Sequence, residues 1–515
     1  MKTTNKIILS FFSLCTILVI VSACSEKDLE LADPGKLSPD NFYSTEPQVQ
    51  SAVNAIYSNF QTIGLFVRAY FFQMDLMGGD AAGNPQLEAD KVQYRNFSFD
   101  SSHGNISDYW ESCFRGINKA NFVIVNEDKI NSINVDLLSD VKKAEYLGEA
   151  RFLRALYYYL LVIRFGDVPL ITEIPKTPEG FPISPKEDIY NLIISDLQAA
   201  VPGLYSKDQE EYELGRANKE AATALLGKVY LTLKQYDLAL AEFNKIYGKY
   251  ALEPNYFDNF KDETEHGVES IFEIEFDTAL GTSALWNSSV SGAGQNESTL
   301  RGQEYGWNDW FNTYPDDDLL AEYEPGDSRY DDTFYTDGDI FEGDPAQRTI
   351  RTGVPPATVP ATEIYISLAR QSAWRKYQNY YKRLNENTNS SINFKYIRYA
   401  DVLLMMAECE NKRPGGDQDA AIGYINEVRQ RPSVMLPELP LGQSPENVFN
   451  ALVHERRVEF AGEQSRFNDL LRWDMAGTEL SGQGFKTGIH ELWPIPQREI
   501  SNNDAITDDD QNPGY

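Results

Sequence analysis

The sequence is poor in cysteine and histidine and short of basic residues. Cysteine and histidine occur four times each in 515 residues, and 46 Lys and Arg stand against 78 Asp and Glu, a formal net charge of 46 − 78 = −32. So few cysteines in so long a chain exclude a disulfide-stapled mini-domain and a zinc array. The acidic balance argues against binding to nucleic-acid phosphates or to anionic membrane surfaces, because both require clustered Lys and Arg.

Apolar and aromatic residues, in contrast, are plentiful. Hydrophobic residues make up 42% of the chain and aromatic residues 12%, with 27 Phe, 30 Tyr and 7 Trp. This composition is too rich in core-forming residues for a disordered chain. It predicts a large folded protein in which aromatic side chains, rather than thiols or imidazoles, form the contact surfaces.

The amino terminus has the pattern of a lipoprotein signal peptide. Lys2 and Lys6 precede an uncharged stretch over residues 7–23, which is short for a membrane-spanning helix. The stretch ends in Val-Ser-Ala before Cys24, which fits a bacterial lipobox and predicts acylation of Cys24, for example with palmitate. A plain secretory peptide is the alternative. We therefore expect a signal peptide over 1–23 and a lipidated cysteine with a tether over 24–45. The acidic residues directly after Cys24 are similar to an outer-surface sorting signal.

Beyond the tether, the apolar spacing is mainly helical. It predicts a helical scaffold over 46–250 and 396–515, interrupted by a loop-rich insertion over 251–395 that begins with a strand at 270–276. Residues 218–247 resemble a tetratricopeptide helix pair, in which Gly227 and Ala239 allow close helix packing. No later segment is apolar enough over a sufficient length to span a membrane.

Several polar side chains lie within these apolar helical stretches. Arginines in such positions usually satisfy buried carbonyls or pair with acids, so we assign structural roles to Arg151, Arg154, Arg398 and Arg456. Two cysteines of the mature chain, Cys113 and Cys409, also lie in apolar helical surroundings. The sequence leaves open whether they pair.

Several segments together resemble the SusD/RagB family of outer-membrane nutrient-binding lipoproteins. They follow the family order over essentially the whole mature chain: residues 42–57, 109–121, 149–170, 215–219, 396–404, 455–473 and 494–515. The resemblance implies a mainly α fold with tetratricopeptide-like pairs and a loop-rich ligand-binding part. It also implies a lipid anchor in the outer membrane that faces the cell exterior, a glycan ligand, and a partner transporter of the SusC type that depends on TonB.

Loop aromatics are the candidates for ligand contact, since sugar recognition uses flat aromatic faces together with planar polar groups. In contrast, we expect Trp310 and Phe311 to pack in the core, because a helical pattern follows them. The candidate ligand-binding residues are Trp286, Tyr305, Trp307, Asn308 and Trp374 in the insertion, and Asp80, Tyr94 and Arg95 in a predicted loop over 78–99.

Other functional classes have weaker support in the sequence. The four histidines show no metal-ligand spacing, and carboxylate pairs are inevitable among 78 acids, so we predict no catalytic residues, metal or cofactor. The acidic stretches 316–318 and 337–344 do not match the EF-hand order, although Ca²⁺ binding there stays open. The favoured function is capture of a glycan and its delivery to the transporter. The alternatives are capture of a peptide or glycopeptide by the same architecture, or a surface glycosidase.

Overall fold

The computed structural model describes residues 42–175, 180–279 and 297–515, and within them the chain is mainly helical, as predicted. The α-helices before the insertion are α1 Glu46–Tyr57, α2 Ala69–Gly78, α3 Ala89–Arg95, α4 Gly104–Ile124, α5 Glu127–Ser132, α6 Asp140–Phe165, α7 Lys186–Ala200, α8 Lys219–Thr232 and α9 Tyr236–Phe243. The later helices are α10 Arg301–Tyr305, α11 Asp317–Glu322, α12 Arg329–Thr333, α13 Tyr399–Lys412, α14 Gln418–Arg429, α15 Pro445–Glu459, α16 Arg466–Arg472, α17 Ala476–Glu479 and α18 Gln497–Asn502.

Helix α6 forms the centre of the scaffold and packs against α4 and α7. The Ser139 hydroxyl accepts a hydrogen bond from the Lys142 amide at 3.2 Å and caps its first turn, and Gly166 ends it with φ +70°. Helix α6 has apolar side chains on every face, so it is buried on nearly all sides. Arg154 on this helix forms two hydrogen bonds of 2.7 Å with Asp196 on α7, which confirms its structural role.

The predicted helix pair is present as α8 and α9. The Asn218 side chain accepts a hydrogen bond from the Ala221 amide at 2.7 Å and starts α8. Gly227 on α8 faces the Phe243 ring on α9 so closely that an added Cβ would lie 2.5 Å from a ring carbon. The second pair, α13 and α14, packs in the same antiparallel manner, with Asp417 capping α14.

In the described ranges, the strands are short and form five two-stranded sheets. They are β1 Ala81–Gly83 with β5 Thr313–Pro315, β2 Val168–Pro169 with β3 Ile183–Ser184, β4 Ser270–Ile274 with β10 Phe394–Arg398, β6 Phe334–Tyr335 with β9 Ala373–Trp374, and β7 Thr349–Arg351 with β8 Glu363–Tyr365. The pair β7 and β8 is parallel, whereas the others are antiparallel. The predicted strand at 270–276 is therefore correct in type and ends two residues earlier.

The pairing of β4 with β10 brings the two ends of the insertion together. Phe394 lies opposite Ile274, and Lys395 lies opposite Glu273. Between these strands, the insertion has a small apolar core of its own, which includes Trp307, Phe341 and Tyr380. The insertion is thus a packed lobe and not a set of independent loops.

Buried ion pairs fasten the insertion to the last long helix, α15. Arg329 contacts Glu455 at 2.6 Å and Glu459 at 2.8 Å, and Arg398 contacts Glu459 at 2.6 Å. All four side chains are at most 1% exposed. Arg456 pairs in the same interior with Asp401 and Asp469, so the predicted framework roles of Arg398 and Arg456 are confirmed.

Cys113 and Cys409 are both buried and are free thiols. Burial raises the pKa of each thiol, so both remain protonated at neutral pH. Among the described ranges, no helix combines the length and the apolar character that a bilayer crossing requires.

Candidate functional site

The predicted loop over 78–99 meets the segment that follows the candidate residues Tyr305, Trp307 and Asn308. Strand β1 pairs with β5, so that Ala82 lies opposite Tyr314. The Asp316 amide donates to the Asp80 carbonyl at 2.9 Å, and the Arg95 guanidinium donates to the Asp316 carboxylate at 2.7 Å. Residues more than 200 positions apart therefore form one continuous surface.

Side-chain hydrogen bonds hold these two loops in place. The Asn84 amide nitrogen donates to the Phe311 carbonyl, and its oxygen accepts from the Gln86 amide at 2.6 Å. The Asn84 backbone amide also donates to the Asn312 carbonyl at 3.1 Å. Asn84 is buried, so a single asparagine fixes the relative position of both loops.

Four of the predicted aromatic contacts lie in the core. Tyr94, Tyr305, Trp307 and Trp374 are each at most 1% exposed, so their ring faces pack against protein. Tyr94 lies in helix α3 and not in a loop, and its hydroxyl accepts a hydrogen bond from Gln73 at 3.1 Å. In this conformation these rings shape the surface from below and do not present a face to a ligand.

Tyr305 also belongs to a buried polar link. Its hydroxyl donates to the Asp75 carboxylate at 2.8 Å, and the Gln464 amide donates to the same oxygen at 2.6 Å. Burial raises the pKa of Asp75 to about 6, although Arg301 and these two donors oppose the shift. The link connects the insertion, α2 and the turn before α16.

The predicted polar contacts Asp80, Arg95 and Asn308 form hydrogen bonds within the protein. Asp80 is buried and pairs with Arg457 at 3.0 Å, and Arg95 pairs with Asp316. The half-buried Asn308 side chain donates to the Leu384 carbonyl at 3.1 Å. These residues therefore position the loops through their partners within the protein.

The structure reverses the expected placement of two neighbouring tryptophans. Trp307 enters the small core of the insertion, whereas Trp310, which we expected in the core, is 39% exposed. The prediction for Phe311 is confirmed, since it is 1% exposed. Trp286 and Cys24 lie outside the described residues, and their roles stay predictions.

We use the name Trp310 surface for five exposed or half-exposed side chains on segments that hydrogen bonds and a ring contact join: Gln86, Trp310, Tyr314, Leu368 and Arg370. The Arg370 guanidinium carbon lies 3.7 Å from the centre of the Tyr314 ring, within stacking distance. Leu368 is 45% exposed, in a turn with φ +62°, and the neighbouring Ser367 hydroxyl donates to the Trp307 carbonyl at 3.2 Å. The surface combines aromatic faces with planar polar groups.

The sequence analysis missed Tyr314 and Arg370. Tyr314 follows the aromatic stretch and alternates with two buried residues, Thr313 and Pro315, so strand periodicity was a usable signal. Arg370 carried no signal, because its partner lies 56 positions away and only the folded insertion brings them together.

The acidic stretches considered for Ca²⁺ serve as caps and ion-pair partners. Asp316 caps α11 and pairs with Arg95, and Asp344 pairs with Arg348. Within the described ranges, a different group places three potential metal ligands within 4.8 Å of one another: His266, Glu273 and Glu275. Lys395 already contacts Glu273 at 2.9 Å, so an ammonium group neutralises one carboxylate of this cluster.

A helical scaffold with aromatic side chains on its loops does not by itself specify a reaction or a ligand. Family comparison is more specific. The SusD family model matches residues 244–515, and a second model, described as starch-binding associating with outer membrane, matches residues 77–231. The chain belongs to the SusD family.

Individual relatives agree with this assignment. A SusD-like protein of Formosa agariphila is 28% identical, and the match covers 97% of this chain and 98% of that protein. The crystal structure of a SusD homologue from Bacteroides thetaiotaomicron superposes with a TM-score of 0.79 at 22% identity, over 93% and 98% of the two chains. A laminarin-binding SusD-like protein superposes with a TM-score of 0.73 at 25% identity, over 92% and 100%.

Proposed function

We propose that this protein is a cell-surface lipoprotein that binds a glycan at the Trp310 surface and delivers it to a SusC-like transporter in the outer membrane that depends on TonB. The observation that carries the proposal is the exposed Trp310, four positions before Tyr314, whose ring stacks with the Arg370 guanidinium. Pyranose rings pack their C–H faces on aromatic rings, while guanidinium and amide groups bind the hydroxyls.

The family supports the remaining parts of the proposal. One matching model is described as starch-binding and associated with the outer membrane, and one structural neighbour binds laminarin. Acylation at Cys24 would hold the mature chain at the membrane through lipid, which suits a protein with a net charge of −32. The acidic surface favours neutral glycans over polyanionic ones, because like charges repel at a distance set by the ionic strength.

The test is a binding screen of the purified mature chain against laminarin, starch and other neutral polysaccharides by affinity electrophoresis and calorimetry. For a glycan that binds, Trp310→Ala should remove about 2 kcal/mol, which is roughly a 30-fold loss of affinity. The matched control is Tyr247→Ala, since Tyr247 is a 45% exposed aromatic outside the Trp310 surface.

Three results would contradict the proposal. The first is unchanged affinity in Trp310→Ala, which would show that the glycan does not bind at the Trp310 surface. The second is preferential binding of peptides over all glycans, which would favour the peptide-capture alternative. The third is release of shorter sugars during long incubation with the pure protein, which would favour a glycosidase. Co-purification with a SusC-like transporter tests the delivery step independently.

A further inference from the structure

A cavity of about 350 Å³ lies in the helical scaffold between α6, α8, α16 and β10. We call it the scaffold cavity, and it shares no lining residue with the Trp310 surface. Its floor is formed by buried residues, among them Tyr70, Phe394 and Gln464. Its mouth is lined by the exposed side chains of Lys186 and Lys234. The cavity is therefore open to solvent and has the size of a small-molecule site.

Apart from Lys186 at the mouth, the cationic side chains of the cavity wall are already paired. Within the described residues, six cationic side chains of the lining each lie within 3.0 Å of a carboxylate: Lys228, Lys234, Lys395, Arg398, Arg456 and Arg472. Lys228 and Arg456 share Asp401, for example, at 3.0 and 2.9 Å. An ionic ligand would have to compete with these pairs, so the wall selects for a ligand without net charge.

Neutral hydrogen-bonding groups in the same wall, in contrast, have no protein partner in the described part of the chain. They are the hydroxyls of Tyr70, Tyr190 and Tyr396 and the side-chain amide of Asn468. The Gln464 side-chain oxygen is also unpartnered, although Gln464 is only 3% exposed. The Gln464 backbone has φ +61°, which lies in the left-handed region and costs free energy for a residue other than glycine. A buried acceptor without a donor destabilises the fold, so a ligand that supplies the donor gains affinity.

Aromatic rings complete the lining. Tyr159, Phe394 and Phe460 add apolar faces to those of the three tyrosines with unpartnered hydroxyls. Aromatic rings and neutral polar groups in one cavity match a molecule with C–H faces and many hydroxyls.

We propose that this cavity is a second binding site, which takes a neutral mono- or disaccharide. Sugar hydroxyls would donate to Gln464 and exchange hydrogen bonds with Tyr190, Tyr396 and Asn468, while a pyranose face packs on the aromatic wall. The proposal does not depend on glycan binding at the Trp310 surface, because the two sites share no residue and one is an exposed surface whereas the other is a cavity.

The experiment is saturation-transfer NMR and calorimetry of the full mature chain with a panel of neutral mono- and disaccharides. Tyr396→Phe and Tyr190→Phe each remove one hydroxyl with almost no change in volume, and each should weaken binding about fivefold. Asn468→Leu should weaken binding at least as much, because it removes both a donor and an acceptor. The matched control is Tyr247→Phe, whose hydroxyl lies on the exposed surface and should leave the affinity unchanged.

Trp310→Ala separates this proposal from the previous one. Retained small-sugar binding in Trp310→Ala, together with loss in two of the three cavity variants at an unchanged melting temperature, supports the cavity site. The proposal is overturned if no neutral sugar of the panel binds, or if the cavity variants bind as the parent does. It is also overturned if a charged sugar or a free amino acid binds more tightly than every neutral sugar.

Discussion

At the residue scale, two tryptophans three positions apart have opposite environments. Trp307 packs against the Phe341 ring at a centroid distance of 5.0 Å and the Tyr380 ring at 5.7 Å. Trp310 lies past the turn and is 39% exposed. Since the partners of Trp307 are 34 and 73 positions away, composition and local spacing could not distinguish the two residues.

We predict that Trp307→Ala lowers the free energy of unfolding by about 3–5 kcal/mol, because a fully buried ring leaves a cavity in a small core. Trp310→Ala should cost much less stability, since more than a third of that side chain already contacts solvent. Urea denaturation followed by circular dichroism measures both. Equal losses in the two variants would show that Trp310 is a core residue after all.

At the element scale, the α8–α9 pair shows how a small residue sets the distance between two helices. Gly227 touches the Phe243 ring, and Ala239 on the facing helix is fully buried. The sequence predicted this close approach from residue size alone. It could not predict that β1 would pair with β5, because neither strand is longer than three residues and the partner lies far away in the chain.

Replacement of Gly227 by Ala should therefore lower the melting temperature. The added Cβ would lie 2.5 Å from the Phe243 ring, and such overpacking costs about 1–3 kcal/mol. Gly423→Ala is the matched control, because Gly423 lies in α14 with no atom within 4 Å of the new Cβ. Both variants gain about 1 kcal/mol of helix propensity, so the difference between them isolates the packing cost. A stability gain of the same size in both would contradict the close approach.

At the scale of the whole molecule, buried carboxyl groups fall into two sets, those whose pKa is lowered and those whose pKa is raised. Burial opposes ionisation of Glu273, yet Lys395 and His266 outweigh it and lower its pKa to about 2. Burial dominates at Glu149 and Glu265, and it raises their pKa values to about 7 and about 8 from an ordinary 4.5. A carboxyl group with a lowered pKa, such as Glu273, stabilises the fold above its ordinary pKa of 4.5, and this contribution is lost as the pH falls towards 2. The second set contributes stability below pH 4.5 that is lost as the pH rises through 7 and 8.

We accordingly expect the melting temperature to be highest near pH 5 and to fall towards both pH 2 and pH 8.5. Glu265→Gln should flatten the decline between pH 5 and pH 8.5, because the amide cannot ionise beside Glu273 and Glu275. Glu438→Gln, at an exposed position, is the control and should keep the parent profile. Differential scanning calorimetry over this range provides the measurement, and stability that rises steadily from pH 5 to pH 8.5 would refute the assignment.

The sequence by itself determined the elements and the family. Apolar periodicity and caps fixed the helices α6, α8 and α13, since those signals act over one to four positions along the chain. Only the tertiary structure decided the candidate site. The Trp310 surface depends on the pairing of β1 with β5 and on the stack of Arg370 on Tyr314. The wall of the scaffold cavity likewise combines residues from separate parts of the chain, between Tyr70 and Leu492. Which aromatic rings are exposed is set by partners brought from far along the chain, and no local pattern carries that information.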